Sequence, residues 1–228
     1  MQAATAFDKV VKSDPDDAEA LYGRGVSDEC SGQYDAAIGD LDSAIRLDPR
    51  WRAYRARGIA YEQTGDYARA LADFDAAIDL NPGEPSIYLE RASLYARSGQ
   101  VSAAIADLNT ATAVAGRQSP YTYFDGYAWL LATSPAGQLR NGPMAVKYAT
   151  YAADMTIWQN GLILDTLAAA YAENDQFDQA VKWQKKACEL QWENDPARTP
   201  EFQKMHARLA LYEKHQPYRE EPIAMQGP

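Results

Sequence analysis

The chain has 228 residues, is 46% hydrophobic and carries a formal net charge of -10, with 22 Lys and Arg against 32 Asp and Glu. That balance excludes a nucleic-acid surface, which needs clustered cations to neutralise phosphates, and no apolar run approaches the roughly 20 residues that span a bilayer. Residues 1–50 hold eleven acidic side chains against five basic ones, an acidic end that reads either as solvated surface or as a docking face for a basic partner.

In chain order, the first element is predicted as a helix running through Ala6-Phe7 and Val10-Val11 into Ser13-Asp14-Pro15. It reads as the second helix of a repeat whose first helix is missing, so a leader or upstream domain is expected before Met1. MQAATAFDKVV has neither a basic opening nor an apolar stretch and does not read as a signal peptide. From residue 18 a fixed beat sets in. Arg24, Arg57 and Arg91 are each followed by Gly or Ala and, sixteen residues later, by Asp40, Asp73 and Asp107. Gly32, Gly65 and Gly99 keep the same steps of 33 and then 34 residues, as do Ala37, Ala70 and Ala104. A period of this size is the signature of stacked two-helix units. Within residues 51–84, Tyr54, Gly58 and Tyr61 form one apolar stripe at helical spacing, and Tyr67, Ala70, Phe74 and Ala77 form a second. Gly65-Asp66 makes the turn between them, and Pro82 stops the second helix.

After Ser119-Pro120 the beat changes. A helix over YFDGYAWLLA is followed by a connection, measured from Leu131 to Ala145, five residues longer than its counterpart from Tyr61 to Ala70. A further two-helix unit runs through LDTLAAAYAE and FDQAVKWQKKACEL. Residues 199–215 predict a last helix, capped by Thr199 with Pro200 at its first position and striped by Phe202, Met205, Leu209 and Tyr212. Gln216-Pro217-Tyr218-Arg219 ends it, and the remaining tail is expected to be mobile.

Residues 18–118 resemble the tetratricopeptide repeat family, and residues 128–190, with AWLLATSP, LRNG and LDTLAAAYAE, resemble a C-terminal tetratricopeptide module found in many bacterial proteins. The resemblance implies an all-α, right-handed superhelical solenoid of helix hairpins whose first helices line a concave groove. The expected organisation is an incomplete leading repeat (1–17), three regular units (18–118), two divergent units (119–194) and a capping helix with tail (195–228). The pairs Arg24/Asp40, Arg57/Asp73 and Arg91/Asp107 look like a subtype of the repeat with arginine where leucine is commoner, and are read as structural ion pairs.

No phosphate loop, HExxH, GxSxG or CxxC motif occurs, and the two histidines, His206 and His215, fall on or beside the last helix. The expectation is therefore no enzyme, no cofactor and no metal. Cys30 and Cys188 lie in the first and last complete units, too far apart for a disulfide. Two free thiols suit a cytoplasmic setting, with a periplasmic one open if a leader precedes Met1.

The groove is the place to look for function. Helical geometry puts Tyr22, Val26 and Glu29 on one non-core face of the first unit, and Arg52, Arg55, Ile59 and Glu62 on that of the second. Leu89 and Ser93 follow in the third unit, Asp125 and Trp129 in the fourth, Asp165 in the last. The prediction is a scaffold binding a peptide or partner segment, with an acidic group near Arg52 and Arg55 and apolar contacts at Tyr22, Ile59, Leu89 and Trp129. The rival for the arginines is ordinary solvated charge. Trp129 also reads as a core anchor beside the irregular loop. Partners are thus another protein or peptide, not nucleic acid or an inserted membrane. Alternative readings are an accessory domain of a larger envelope-assembly or enzymatic protein, and a self-association module forming a homo-oligomer.

Overall fold

The computed structural model describes residues 2–116, 119–194 and 200–225; the sequence boundary at residue 118 and the Thr199 cap lie outside them. Among the described residues there are twelve α-helices and no strand: α1 Gln2–Ser13, α2 Ala18–Cys30, α3 Tyr34–Leu47, α4 Trp51–Gln63, α5 Tyr67–Leu80, α6 Pro85–Arg97, α7 Val101–Val114, α8 Tyr121–Thr133, α9 Gly142–Met155, α10 Gly161–Glu173, α11 Phe177–Asn194 and α12 Pro200–Tyr212. The fold is an all-α solenoid of helix hairpins. It forms two compact units, one of residues up to Leu94 with the chain's end from Ala224, the other Tyr95–Ile223. The division falls inside α6.

In the first unit the second helices α3 and α5 present alanines where the first helices pass closest. Ala37, Leu41, Ala53, Ala56 and Ala60 are buried together, flanked by Tyr22, Val26, Tyr34, Ile38 and Ile45. Gly58 is required by this closeness, because a Cβ there would lie 2.9 Å from Phe74 Cε1 and 3.3 Å from the Ala70 carbonyl. Phe74 is fully buried as a result, worth roughly 1.5–3 kcal/mol of apolar transfer. The hairpin turns close on Gly32 and Gly65 at φ 78° and 82°, left-handed values that a glycine adopts without the Cβ clash.

The second unit also packs on alanines, with Ala104, Ala128, Ala145, Ala149 and Ala168 fully buried. It keeps a turn glycine at Gly99, φ 79°, whereas the turn between α10 and α11 uses Asp175 at φ 56°, one of the few side chains that tolerate this region. Ten residues of α10 are buried, from Gly161 to Ala172, and Asn160 caps it by accepting from the amides of Leu162 and Ile163. The longer connection after α8 is ordered: a short 3-10 turn at Gly137–Leu139 is pinned by the Asn141 amide on the Leu131 carbonyl at 3.0 Å, and Asn141 then caps α9.

Candidate peptide-binding faces

The recurring arginines sit on first helices and grip second helices. Arg24 donates from Nε and Nη2 to the two oxygens of Asp40 at 2.5 and 2.7 Å, and Arg57 does the same to Asp73 at 2.8 and 2.7 Å. The paired geometry is the strong form of this contact, and it holds the guanidinium of Arg57 well above its ordinary pKa through the Asp73 hydrogen bond, against burial. All three arginines also reach an aspartate of the preceding second helix: Arg24 reaches Asp8 at 3.3 Å, Arg57 reaches Asp42 at 2.6 Å and Arg91 reaches Asp75 at 2.5 Å. The sequence reading missed these partners, although their spacing of 34 and 33 residues carries the signal. Asp107 is buried on α7.

The first-helix face of the first unit is only partly as expected. Tyr22 and Val26 are half-buried and lean on the alanine core. Arg52 is exposed, its guanidinium 5.1 Å from the Trp51 ring. Arg55 is already engaged: Nε lies 2.9 Å from both oxygens of Glu90, and Nη2 also bonds the carboxylate. This pair joins α4 to α6 across 35 residues of sequence, so Arg55 shapes the face and is not held open for a ligand. Nearby Glu29 is pushed above the usual carboxylate range by burial, with Arg55 pulling the other way. Ile59, Glu62 and Ser93 are half-buried. Leu89 is 6% exposed, so it belongs to the core rather than to a contact surface; α6 packs closely enough to cover it. A pocket of about 280 Å³ opens between α2 and α4, lined by Asp17, Glu19, Tyr22, Asp48, Arg50 and Arg52 among others, with Arg50 already paired to Asp48 and Glu19.

In the second unit two of the expected groove positions, Asp165 and Trp129, are covered by the protein's own C-terminal residues. Asp165 is buried and bonds Arg208 of α12 (Nε 2.9 Å, Nη2 2.7 Å) and Gln184 (Nε2 2.6 Å). It anchors the capping helix rather than meeting a ligand. Asp125 lies beside Asp165 and Thr166; burial above all raises its pKa from 3.8 to about 7, and its Oδ1 has no hydrogen bond. Trp129 lies against Tyr218, ring centroids 5.8 Å apart and planes tilted by 41°, and donates Nε1–H to Glu220 at 2.8 Å. The tail expected to be mobile is therefore docked through residue 223, because it finds partners at helix ends that the sequence pattern does not display. On another face of this unit an open cleft of about 670 Å³ is walled by Tyr123, Phe124, Tyr148 and Tyr151.

No group of three His, Cys, Asp or Glu able to hold a metal occurs among the described residues, and none of their helices is long and apolar enough to cross a membrane. His206 lies 3.0 Å from the Phe202 carbonyl, and His215 stacks on Phe177. Cys30 is exposed and Cys188 buried, both as free thiols.

With this geometry the family is decided by comparison. A family model described as Tetratricopeptide repeat matches residues 1–27, 31–85 and 64–121, and a second of the same description matches residues 163–191. The chain belongs to the tetratricopeptide repeat family. It is a protein-interaction scaffold in the general sense of that family. No curated protein matches it. Among solved structures it is similar to the Cut9-Hcn1 hetero-tetramer of the APC/C (16% identity over 94% of this chain and 40% of that one, TM-score 0.73) and to yeast Tom70 (20%, 93% and 42%, TM-score 0.62). A tetratricopeptide repeat protein from Parabacteroides merdae is 16% identical over 93% of this chain and 84% of its own, with a TM-score of 0.55. At such identities the likeness is one of fold, and the chain spans about two fifths of the first two.

Proposed function

We propose that this scaffold binds an extended acidic partner segment along the first-helix face of its first unit. A carboxylate of the partner meets Arg52, and apolar side chains pack at Tyr22 and Ile59. The observation that carries the reading is the pocket between α2 and α4, where the exposed Arg52 shares the lining with the half-buried Tyr22. Arginine over an aromatic ring keeps its planar fork oriented, so little freedom is lost when a carboxylate docks. Arg55 contributes by locking α4 to α6 through Glu90, which presents a preformed face and avoids part of the ordering cost of recognition. Chemistry is not part of this reading.

The test is selection of peptides from a random display library against the intact chain, followed by affinity measurement on Arg52→Ala. Selected peptides are expected to carry an acidic residue and to lose about ten- to a hundredfold in affinity, the scale of one charged hydrogen-bonded contact. Binders without an acid, or with unchanged affinity for the variant, would discard the proposal.

A further inference from the structure

After α12 the chain runs from Gln216 without helix or strand, and none of the residues 216–225 is fully buried. Yet successive residues are recognised one by one. Tyr218 lies against Trp129, and the Arg208 guanidinium stands 5.3 Å from the Trp129 ring and 5.5 Å from that of Tyr218. Arg219 pairs with Glu173, which Arg140 also holds at 3.3 Å, and donates to the Ala132 carbonyl at 3.4 Å. Glu220 accepts from Trp129 Nε1 at 2.8 Å. Two backbone amides complete the set: Glu220 N–H on the Thr133 carbonyl and Ile223 N–H on the Arg97 carbonyl, each at 2.9 Å.

The location explains why an extended segment fits. Thr133 and Arg97 are the last residues of α8 and α6, and the final carbonyls of a helix have no partner within it. Helix ends stacked in register thus offer a row of acceptors to any strand laid across them. They are also the negative ends of the helix dipoles, which suits an arginine such as Arg219. The fit is incomplete, since Glu220 Oε2 is buried without a hydrogen bond. An occupant attached at one end and imperfectly satisfied is one that can be exchanged.

We propose that the face formed by Trp129, Arg208, Glu173 and the end carbonyls of α8 and α6 is a docking site for an extended partner peptide bearing an aromatic, an arginine and an acid in consecutive positions, and that Tyr218-Arg219-Glu220 of the chain itself fills it until such a peptide displaces them. It extends the peptide-binding reading to the second unit, but uses none of the residues on which the Arg52 test depends.

The probe is a labelled synthetic peptide of residues 216–225, titrated by fluorescence polarisation into the full-length chain and into the full-length triple variant Tyr218→Ala, Arg219→Ala, Glu220→Ala. A tail that occupies the site in most molecules reduces the apparent affinity for an outside peptide by the fraction left open. The variant is therefore expected to bind about tenfold or more tightly than the wild type, and Trp129→Ala added to it is expected to abolish binding. Sensitivity to Trp129 with indifference to Arg52→Ala separates this site from the first. A helical variant that binds the peptide no better than the wild type would overturn the proposal. Hydrogen exchange on the wild type decides the matter independently of how well the variant folds. The Glu220 and Ile223 amides are expected to exchange at least about tenfold faster than the interior amides of α10, through local release. Exchange as slow as α10 would make the tail integral to the unit and end the proposal. A concentration-dependent dimer lost in the triple variant would assign the site to a second copy instead, overturning the partner named here.

Discussion

The two units solve the same packing problem with opposite uses of charge. In the first, Arg24 and Arg57 recur from layer to layer, partly buried, each shared between an aspartate of its own hairpin and one of the hairpin before. In the second, the arginine contacts do not repeat, and the most buried of them is made by Arg208. Arg208 is 3% exposed and gathers Asp165, Glu201, Trp129 and Tyr218 about itself. The contrast teaches that periodic polar contacts build a stack layer by layer, whereas a single buried polar node ends it, fixing the capping helix and the tail together.

The largest effect is expected where the node is broken. Arg208→Ala leaves the Asp165 carboxylate buried beside only Gln184, and should cost about 3–5 kcal/mol in urea unfolding of the full chain, with loss of the tail's docking. A cost below about 1 kcal/mol would show that the node is not what holds the cap. Next comes Asp125→Asn. Because the folded-state pKa of Asp125 is raised from 3.8 to about 7, its contribution is most favourable below pH 4 and is lost as pH rises toward 7. The asparagine variant should be more stable than the wild type by about 4 kcal/mol at pH 8, with the difference shrinking to nothing near pH 4. Melting curves at the two pH values give the answer, and a pH-independent difference would refute the assignment. The smallest of the three is in the first unit. Arg57→Ala strands Asp73, 5% exposed, at a cost of about 2 kcal/mol, while Asp42→Asn, on the exposed side of the same arginine, should cost about 0.5 kcal/mol or less and vanish in 1 M salt. Equal costs for the two would mean that the layers are not held by the buried arm.

How much of this was legible in the sequence follows from the same contrast. Contacts that repeat leave a period, so the hairpins, the turn at Gly65 and the approach of Arg57 to Asp73 could be read from spacing alone. Contacts made once leave none. Arg55 finds Glu90 across 35 residues, and Trp129 finds Glu220 across 91; nothing in the residue types marked either carboxylate out from the other acidic side chains. Leu89 was misplaced for a related reason. Helical spacing gives its face correctly, but whether that face is open depends on how closely α6 is packed, which a single helix does not encode. The tail failed most plainly as a reading, since QPYREEPIA has no periodicity and its binding energy lies in helix-end carbonyls that every helix possesses.

The shared arginine also bears on how such a chain grows. A stretch of 33 or 34 residues carries an arginine that looks backward to the preceding hairpin and an aspartate, such as Asp42 or Asp75, that the next arginine will seek. Both edges of the cassette are therefore mutually complementary. A gene duplication of that length would insert a layer whose seams already match on either side, with no new contact to be invented, whereas an insertion of any other length would break two of them at once.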